Sequence, residues 1–167
     1  NVKGRVVSDF LAVIVEDDDI WLRVSTTTAK PLRDYLAKFL AFSKTQVSIH
    51  RDCCAGERAN YGQSIGEATR SDPSTITVQR SQELVEVWGL PLEKKIQCHH
   101  AESEWRTAEI NMGDARVQGT TMSRYLPQDL NYDLKGWIDF DKGCYTGQEI
   151  IARLHYRGLP KRRLFRA

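Results

Sequence analysis

Nothing in this 167-residue sequence is both long and apolar: the longest uninterrupted run, Phe10 to Val15, is six residues. A bilayer-spanning helix needs roughly 20, so no membrane span is expected. Aromatic residues make up only 9% and prolines number five, while apolar residues reach 41%, which excludes collagen and a disordered chain. The four cysteines, Cys53, Cys54, Cys98 and Cys144, are too few and too irregularly spaced for a disulfide framework. They point to a reducing, cytoplasmic setting with at most one or two functional thiols. No charged-then-apolar leader follows Asn1, so no secretion signal is expected, and the missing start methionine suggests a piece of a longer protein.

The total charge of +2 conceals a gradient. From Lys142 onward, seven Lys or Arg stand against one acid, Glu149, a local balance of +6 that leaves residues 1–141 at −4. Such a basic end is either a solvated tail or a surface for an anionic partner: RNA phosphates, a polyanionic small molecule or an acidic protein. Tyr145, Tyr156 and Phe165 are interleaved with these cations, where they serve equally as stacking groups or as core.

Two β-rich runs, Val6 to Val15 and Ile20 to Ser25, flank Glu16-Asp17-Asp18-Asp19, a turn without the alternating acids of a calcium loop. A helix follows, with Thr28 as cap, Pro31 in its first turn, and Leu32, Tyr35, Leu36, Phe39 and Leu40 as a stripe facing a sheet. Gln46 to His50 alternates like a short strand, and Arg51 to Gly66 reads as loop. The adjacent Cys53 and Cys54 have no metal-ligand spacing around them, nor have His99 and His100, which suit a surface or interface. Ser74 to Gln79 and Leu84 to Trp88 form a second β pair before a helix over Glu102 to Met112 that ends at Gly113. The order strand, strand, helix, strand then occurs twice, which predicts an α+β fold of two units, residues 1–70 and 71–160, with 161–167 beginning something further.

Trp137 to Phe140 reads as a short strand entering a tight turn and then a helix over Ile150 to Tyr156, with Thr146 and Glu149 at capping-box spacing and Gly158 beyond its end. Cys144 thereby sits ahead of a helix N-terminus with Lys142 two residues away, and both favour a thiolate and hence a low thiol pKa. Gly143 and Gly147 leave the approach unobstructed. A structural cysteine at a turn is the bland alternative, and the polar, glycine-flanked setting favours a reactive one.

The run Lys142-Gly143-Cys144-Tyr145-Thr146-Gly147-Gln148-Glu149, continuing through Ala152-Arg153 and Tyr156-Arg157-Gly158 to Lys161-Arg162-Arg163-Leu164, resembles the signature of the folate-binding YgfZ family. These proteins are related to the aminomethyltransferase (T-protein) of the glycine cleavage system. Asn1-x-Lys3-Gly4-Arg5-Val6 with Asp9, Pro31 to Phe42, and Leu126-Pro127-Gln128-Asp129-Leu130-Asn131 agree with the family in order, so the likeness covers nearly the whole chain.

The resemblance implies an aminomethyltransferase-type folate-binding fold: two ferredoxin-like α+β units around a tetrahydrofolate site, with the C-terminal β-barrel missing from this chain. Where T-proteins carry an acidic pair in the first hairpin, the matching positions here are Ser8 and Asp9. This departure and the cysteine motif make the chain similar instead to the branch implicated in making or repairing iron–sulfur clusters, including those of enzymes that thiomethylate tRNA. On that likeness Cys144 is the reactive residue and a shared ligand of a transient iron–sulfur cluster, assisted by Lys142. Asp9, Lys3, Arg5, Tyr145, Gly147, Gln148, Glu149 and Arg153 are the folate-binding candidates. One cysteine cannot hold a cluster alone, so an iron–sulfur carrier or client protein is implied, with tRNA contact expected to be indirect and direct tRNA binding by the basic end as a third reading. The alternative activity is a folate-dependent aminomethyl transfer using Asp9 as acid or base.

Overall fold

A computed structural model describes residues 1–50, 53–90 and 102–166. The elements are β1 (Phe10–Glu16), β2 (Asp19–Val24), α1 (Thr26–Leu40), β3 (Cys53–Arg58), β4 (Ala68–Asp72), β5 (Thr75–Ser81), β6 (Leu84–Leu90), α2 (Glu102–Met112), a 3-10 turn over Pro127–Leu130, and α3 (Gln148–Arg157). The fold is α+β. Strands β1 and β2 form a two-stranded sheet, and the other four form a sheet of order β3-β6-β5-β4 with antiparallel pairing throughout. The described residues contain no closed barrel.

Contacts divide the chain into two interleaved units. One comprises Phe10–Arg23 and Ser48–Met112. Leu11, Val13 and Val15, alternate residues of β1, pack with Trp21 and Ala68 on buried Ile76, Val78 and Trp88, as the period-two pleat requires. Glu86, also buried, accepts hydrogen bonds from Arg23 (2.8 and 3.2 Å), Arg80 (3.1 Å) and the Trp88 indole (3.0 Å), so its charge is fully paired. Helix α2 lays the Trp105 ring on Gly56 of β3: a Cβ there would lie 2.1 Å from the ring.

The other unit comprises Asn1–Asp9, Val24–Val47 and Gly113–Ala167. Its core is Val117, Leu130 and Tyr132, surrounded by Val6, Ala115, Met122, Tyr125 and Ile138. Val6 is held by both backbone groups, its N–H on the Tyr125 carbonyl (2.9 Å) and its carbonyl under the Ser123 N–H (2.8 Å). Buried Ile151 brings α3 to this unit, where the Gln128 amide donates to the Ile151 carbonyl at 2.9 Å.

Several expectations need correction. Among the described residues four consecutive strands lie between α1 and α2, so the expected order does not repeat. Residues 46–50 and 137–140 are not strands, because alternation without a partner strand leaves the backbone unpaired. Trp137 is instead held by its N–H on the Tyr132 carbonyl at 2.8 Å. Within the expected loop 51–66 lies β3, whose Cys-Cys-Ala-Gly-Glu-Arg sequence has little β propensity and is drawn into a ladder by β6. Helix α1 starts at Thr26, with Thr28 buried inside it and Pro31 in its second turn. Of its expected apolar stripe only Leu32 is buried, and Phe39 is 59% exposed. The second pair of strands and α2, closed by Gly113 at φ +75°, match the expectation. Cys98, His99 and His100 lie outside the described residues.

Candidate functional site

The two motifs singled out in the sequence meet backbone to backbone. Gly147 caps α3 with φ +85°, and a Cβ on it would stand 2.4 Å from the Asn1 carbonyl oxygen and 2.7 Å from the Gly4 nitrogen. Gly4, itself at φ +66°, faces the Gly147 carbonyl and Ile150. The left-handed conformation and the close approach both demand glycine. This corrects two expectations: Gly147, not Thr146, is the cap and no side chain caps the helix, and its backbone is covered by the Asn1–Gly4 turn. Gly143, by contrast, faces open space.

The loop leading to Cys144 is shaped by local hydrogen bonds. Asp139 Oδ1 accepts the N–H groups of Asp141 (2.9 Å) and Lys142 (3.1 Å), and Gln148 Oε1 accepts the Tyr145 N–H at 3.2 Å. The Lys142 ammonium lies 4.8 Å from the Tyr145 ring centroid, a cation–π contact. Partial burial, then the Asp139 charge, raises the Tyr145 phenol above its ordinary value. The Cys144 thiol is free and exposed. It lines an open groove of about 560 Å³ with Tyr35 and Phe39 of α1, Tyr145 and Thr146. Tyr35 and Phe39 pack with ring centroids 5.1 Å apart.

The remaining candidates lie elsewhere. Glu149 and Arg153 are exposed on α3, Glu149 in the first turn where its charge complements the helix dipole. Lys3 is exposed. Its N–H and that of Arg5 bind Asn1 Oδ1 at 3.0 and 3.1 Å, and the Arg5 guanidinium donates to the Arg124 carbonyl. Asp9 Oδ1 accepts the Val117 N–H at 3.0 Å. Burial first, then the Asp9 and Asp114 carboxylates, holds the Tyr132 phenol well above the ordinary tyrosine range. None of Lys3, Arg5 and Asp9 lines the groove. No three His, Cys, Asp or Glu side chains converge to hold a metal ion among the described residues.

The basic end is in part folded back. Arg163 forms a bidentate pair with Asp133 (2.6 and 2.8 Å) and also reaches the Gln128 carbonyl at 3.2 Å. Arg162 reaches Asp129 at 3.2 Å.

The sequence singles out Tyr145 and Tyr156 as stacking groups but not Tyr35 and Phe39 of the groove wall, nor Phe140 and His155 of a second ring cluster. Tyr35 and Phe39 read as core because helical spacing alone does not show which part of a stripe is covered. Phe140 and His155 stack at 3.8 Å between centroids, with Tyr156 edge-on at 4.7 Å from His155; only their aromatic character could have flagged them.

These features define an α+β protein with a cysteine-bearing turn at a helix start, beside an aromatic groove. No protein-family model matches the chain. It is 40% identical over 169 residues to the tRNA-modifying protein YgfZ of Blochmanniella pennsylvanica, covering 99% of this chain and 47% of that protein. Identity to the protein of the same name from Vibrio vulnificus strain YJ016 is 26% over 183 residues, covering 99% of this chain and 56% of the relative. An uncharacterized Haemophilus influenzae protein is 29% identical over 164 residues, covering 98% and 56%. The chain belongs to the YgfZ family, and it spans about half the length of the curated relatives it matches.

Proposed function

We propose that this chain is the thiol-bearing, tetrahydrofolate-binding part of an accessory protein for iron–sulfur cluster assembly or repair, supporting enzymes such as tRNA methylthiotransferases. The observation that carries the reading is the exposed Cys144 thiol in an aromatic-walled groove, with the Lys142 ammonium held over Tyr145 beside it. The name of the relatives, tRNA-modifying protein, supports its link to tRNA. In this reading the α+β architecture is that of an aminomethyltransferase-type folate-binding protein.

The groove residues fit a folate. A pterin is a flat heteroaromatic ring, which suits the faces of Tyr35, Phe39 and Tyr145, and the anionic glutamate tail suits the Lys142 ammonium. When bound, tetrahydrofolate supplies a carrier for a one-carbon group. Gln148 fixes the loop through the Tyr145 N–H, and Asp139 holds the Lys142 backbone N–H. The Cys144 sulfur is a soft ligand for iron, and because clusters are usually held by four protein ligands, the carrier or client protein supplies the rest. The rival reading, aminomethyl transfer by Asp9, has less support, since that carboxylate holds the Val117 N–H and faces the Tyr132 phenol.

Two measurements test the proposal on the whole protein. In transfer of a cluster from an A-type carrier to an apo-client, Cys144→Ser is expected to slow transfer at least tenfold; a rate equal to wild type contradicts the ligand role. In calorimetric titration, Tyr35→Ala combined with Phe39→Ala is expected to weaken tetrahydrofolate binding about tenfold, since each stacked ring contributes roughly 0.5–1.5 kcal/mol. Unchanged binding removes the groove as the folate site.

A further inference from the structure

Helix α3 presents a face that the thiol chemistry does not use. Glu149, Arg153 and Tyr156 share one side of the helix by their i, i+4 and i+7 spacing, and all are exposed, as is Arg157. Tyr156 is 67% exposed, a large ring in water on a helix that buries Ile151. Beside it the exposed His155 ring lies nearly parallel to Phe140, with an interplanar angle of 18° and centroids 3.8 Å apart, and Phe140 in turn meets Tyr156 edge-on at 6.2 Å. The three rings thus form one cluster that is ordered by its own stacking.

Exposed Asp139 and Asp141 flank Phe140 in the sequence and Glu149 stands in the first turn of α3; beyond Glu149 the charge has one sign. Residues 150–166 contain six Lys or Arg and no acid. Arg163 is paired with Asp133 and the exposed Arg162 with Asp129, whereas Arg153, Arg157 and Lys161 are exposed cations. Cations spaced by a helical turn, next to pre-stacked rings, match a chain that offers alternating phosphates and flat bases.

We infer that Phe140, His155 and Tyr156, with Arg153 and Arg157, form a contact surface for single-stranded RNA. Bases stack on the ring cluster while the arginines meet the phosphates, the combination by which single strands are held without sequence readout. An acidic protein would be drawn by the same charges but has no need of the stacked rings. The inference is independent of the thiol and folate reading, since none of these residues lines the Cys144 groove.

The test is fluorescence anisotropy of a labelled oligouridine of about 12 nucleotides, a length suited to one single-strand site, titrated with the full chain. Wild type is expected to bind saturably at about 50 mM salt and to lose at least tenfold in affinity by about 200 mM. Tyr156→Ala is expected to weaken binding about fivefold or more through the lost stack. Arg153→Gln with Arg157→Gln should weaken it and flatten the salt dependence. Circular dichroism verifies that each variant is folded, and Cys144→Ser, which leaves the surface intact, should bind as wild type does. Absence of saturable binding at low salt overturns the proposal. So does salt-sensitive binding indifferent to Tyr156→Ala, which identifies a surface for charge alone.

Discussion

The glycines on either side of Cys144 look equivalent in the sequence and are not. Gly147 stands at φ +85° against the Asn1 and Gly4 backbone, while Gly143 has neither a left-handed conformation nor a neighbour in reach of a Cβ. Gly147→Ala should therefore cost about 2 kcal/mol or more, because backbone cannot move aside as a flexible side chain does, and Gly143→Ala less than about 1 kcal/mol. Urea unfolding of the two variants gives the comparison directly. Asp133 supplies a second prediction at this scale. Burial alone would raise its carboxyl, but the Arg163 hydrogen bonds and charge outweigh it and hold the carboxyl below its ordinary value of 3.8. The contribution of this pair is accordingly complete above that value and is lost as the pH falls through the lower folded value. Asp133→Asn should cost about 1–3 kcal/mol at neutral pH, and its stability should fall less steeply than wild type on acidification, as pH-dependent urea midpoints would register.

At the scale of elements, what was legible and what was not follow from the same physics. The β5–β6 hairpin and α2 were readable because apolar periodicity, turn residues and the Gly113 stop agree with one another. Strand β3 was not, since Ala55, Gly56 and Glu57 form a strand only because β6 offers a ladder. The cap of α1 lies three residues before the expected Thr28 because Ser25 and three threonines are all good caps and only packing selects among them. Of the candidate site, the Cys144 turn was visible in its residue types, but its groove was not, because Tyr35 and Phe39 are more than a hundred residues away in sequence. The docking of α2 on β3 gives a prediction of its own: Gly56→Ala would push a methyl into the Trp105 ring. Overpacking of this kind costs about 1–3 kcal/mol, and a changed tryptophan emission spectrum should accompany the loss of stability.

For the molecule as a whole, compact units do not follow the order of the chain. The unit carrying Cys144 draws together Asn1–Asp9, Val24–Val47 and Gly113–Ala167, which is why the Asn1–Gly4 turn packs on Gly147 and α1 supplies Tyr35 and Phe39 to the Cys144 groove. The charge gradient is likewise reshaped by folding, as Arg163 turns back to Asp133 and the exposed Arg162 pairs with Asp129, and the cations of α3 remain as a basic face. Among the described residues no helix is long and apolar enough to cross a membrane. The central claim, an accessible thiol beside a folate-binding groove, is tested most directly by iodoacetamide labelling of the intact protein, followed by mass spectrometry with and without tetrahydrofolate. The account predicts that Cys144 is alkylated ahead of Cys54 and that tetrahydrofolate slows its modification severalfold; a Cys144 rate no faster than that of Cys54 and unchanged by tetrahydrofolate would contradict it.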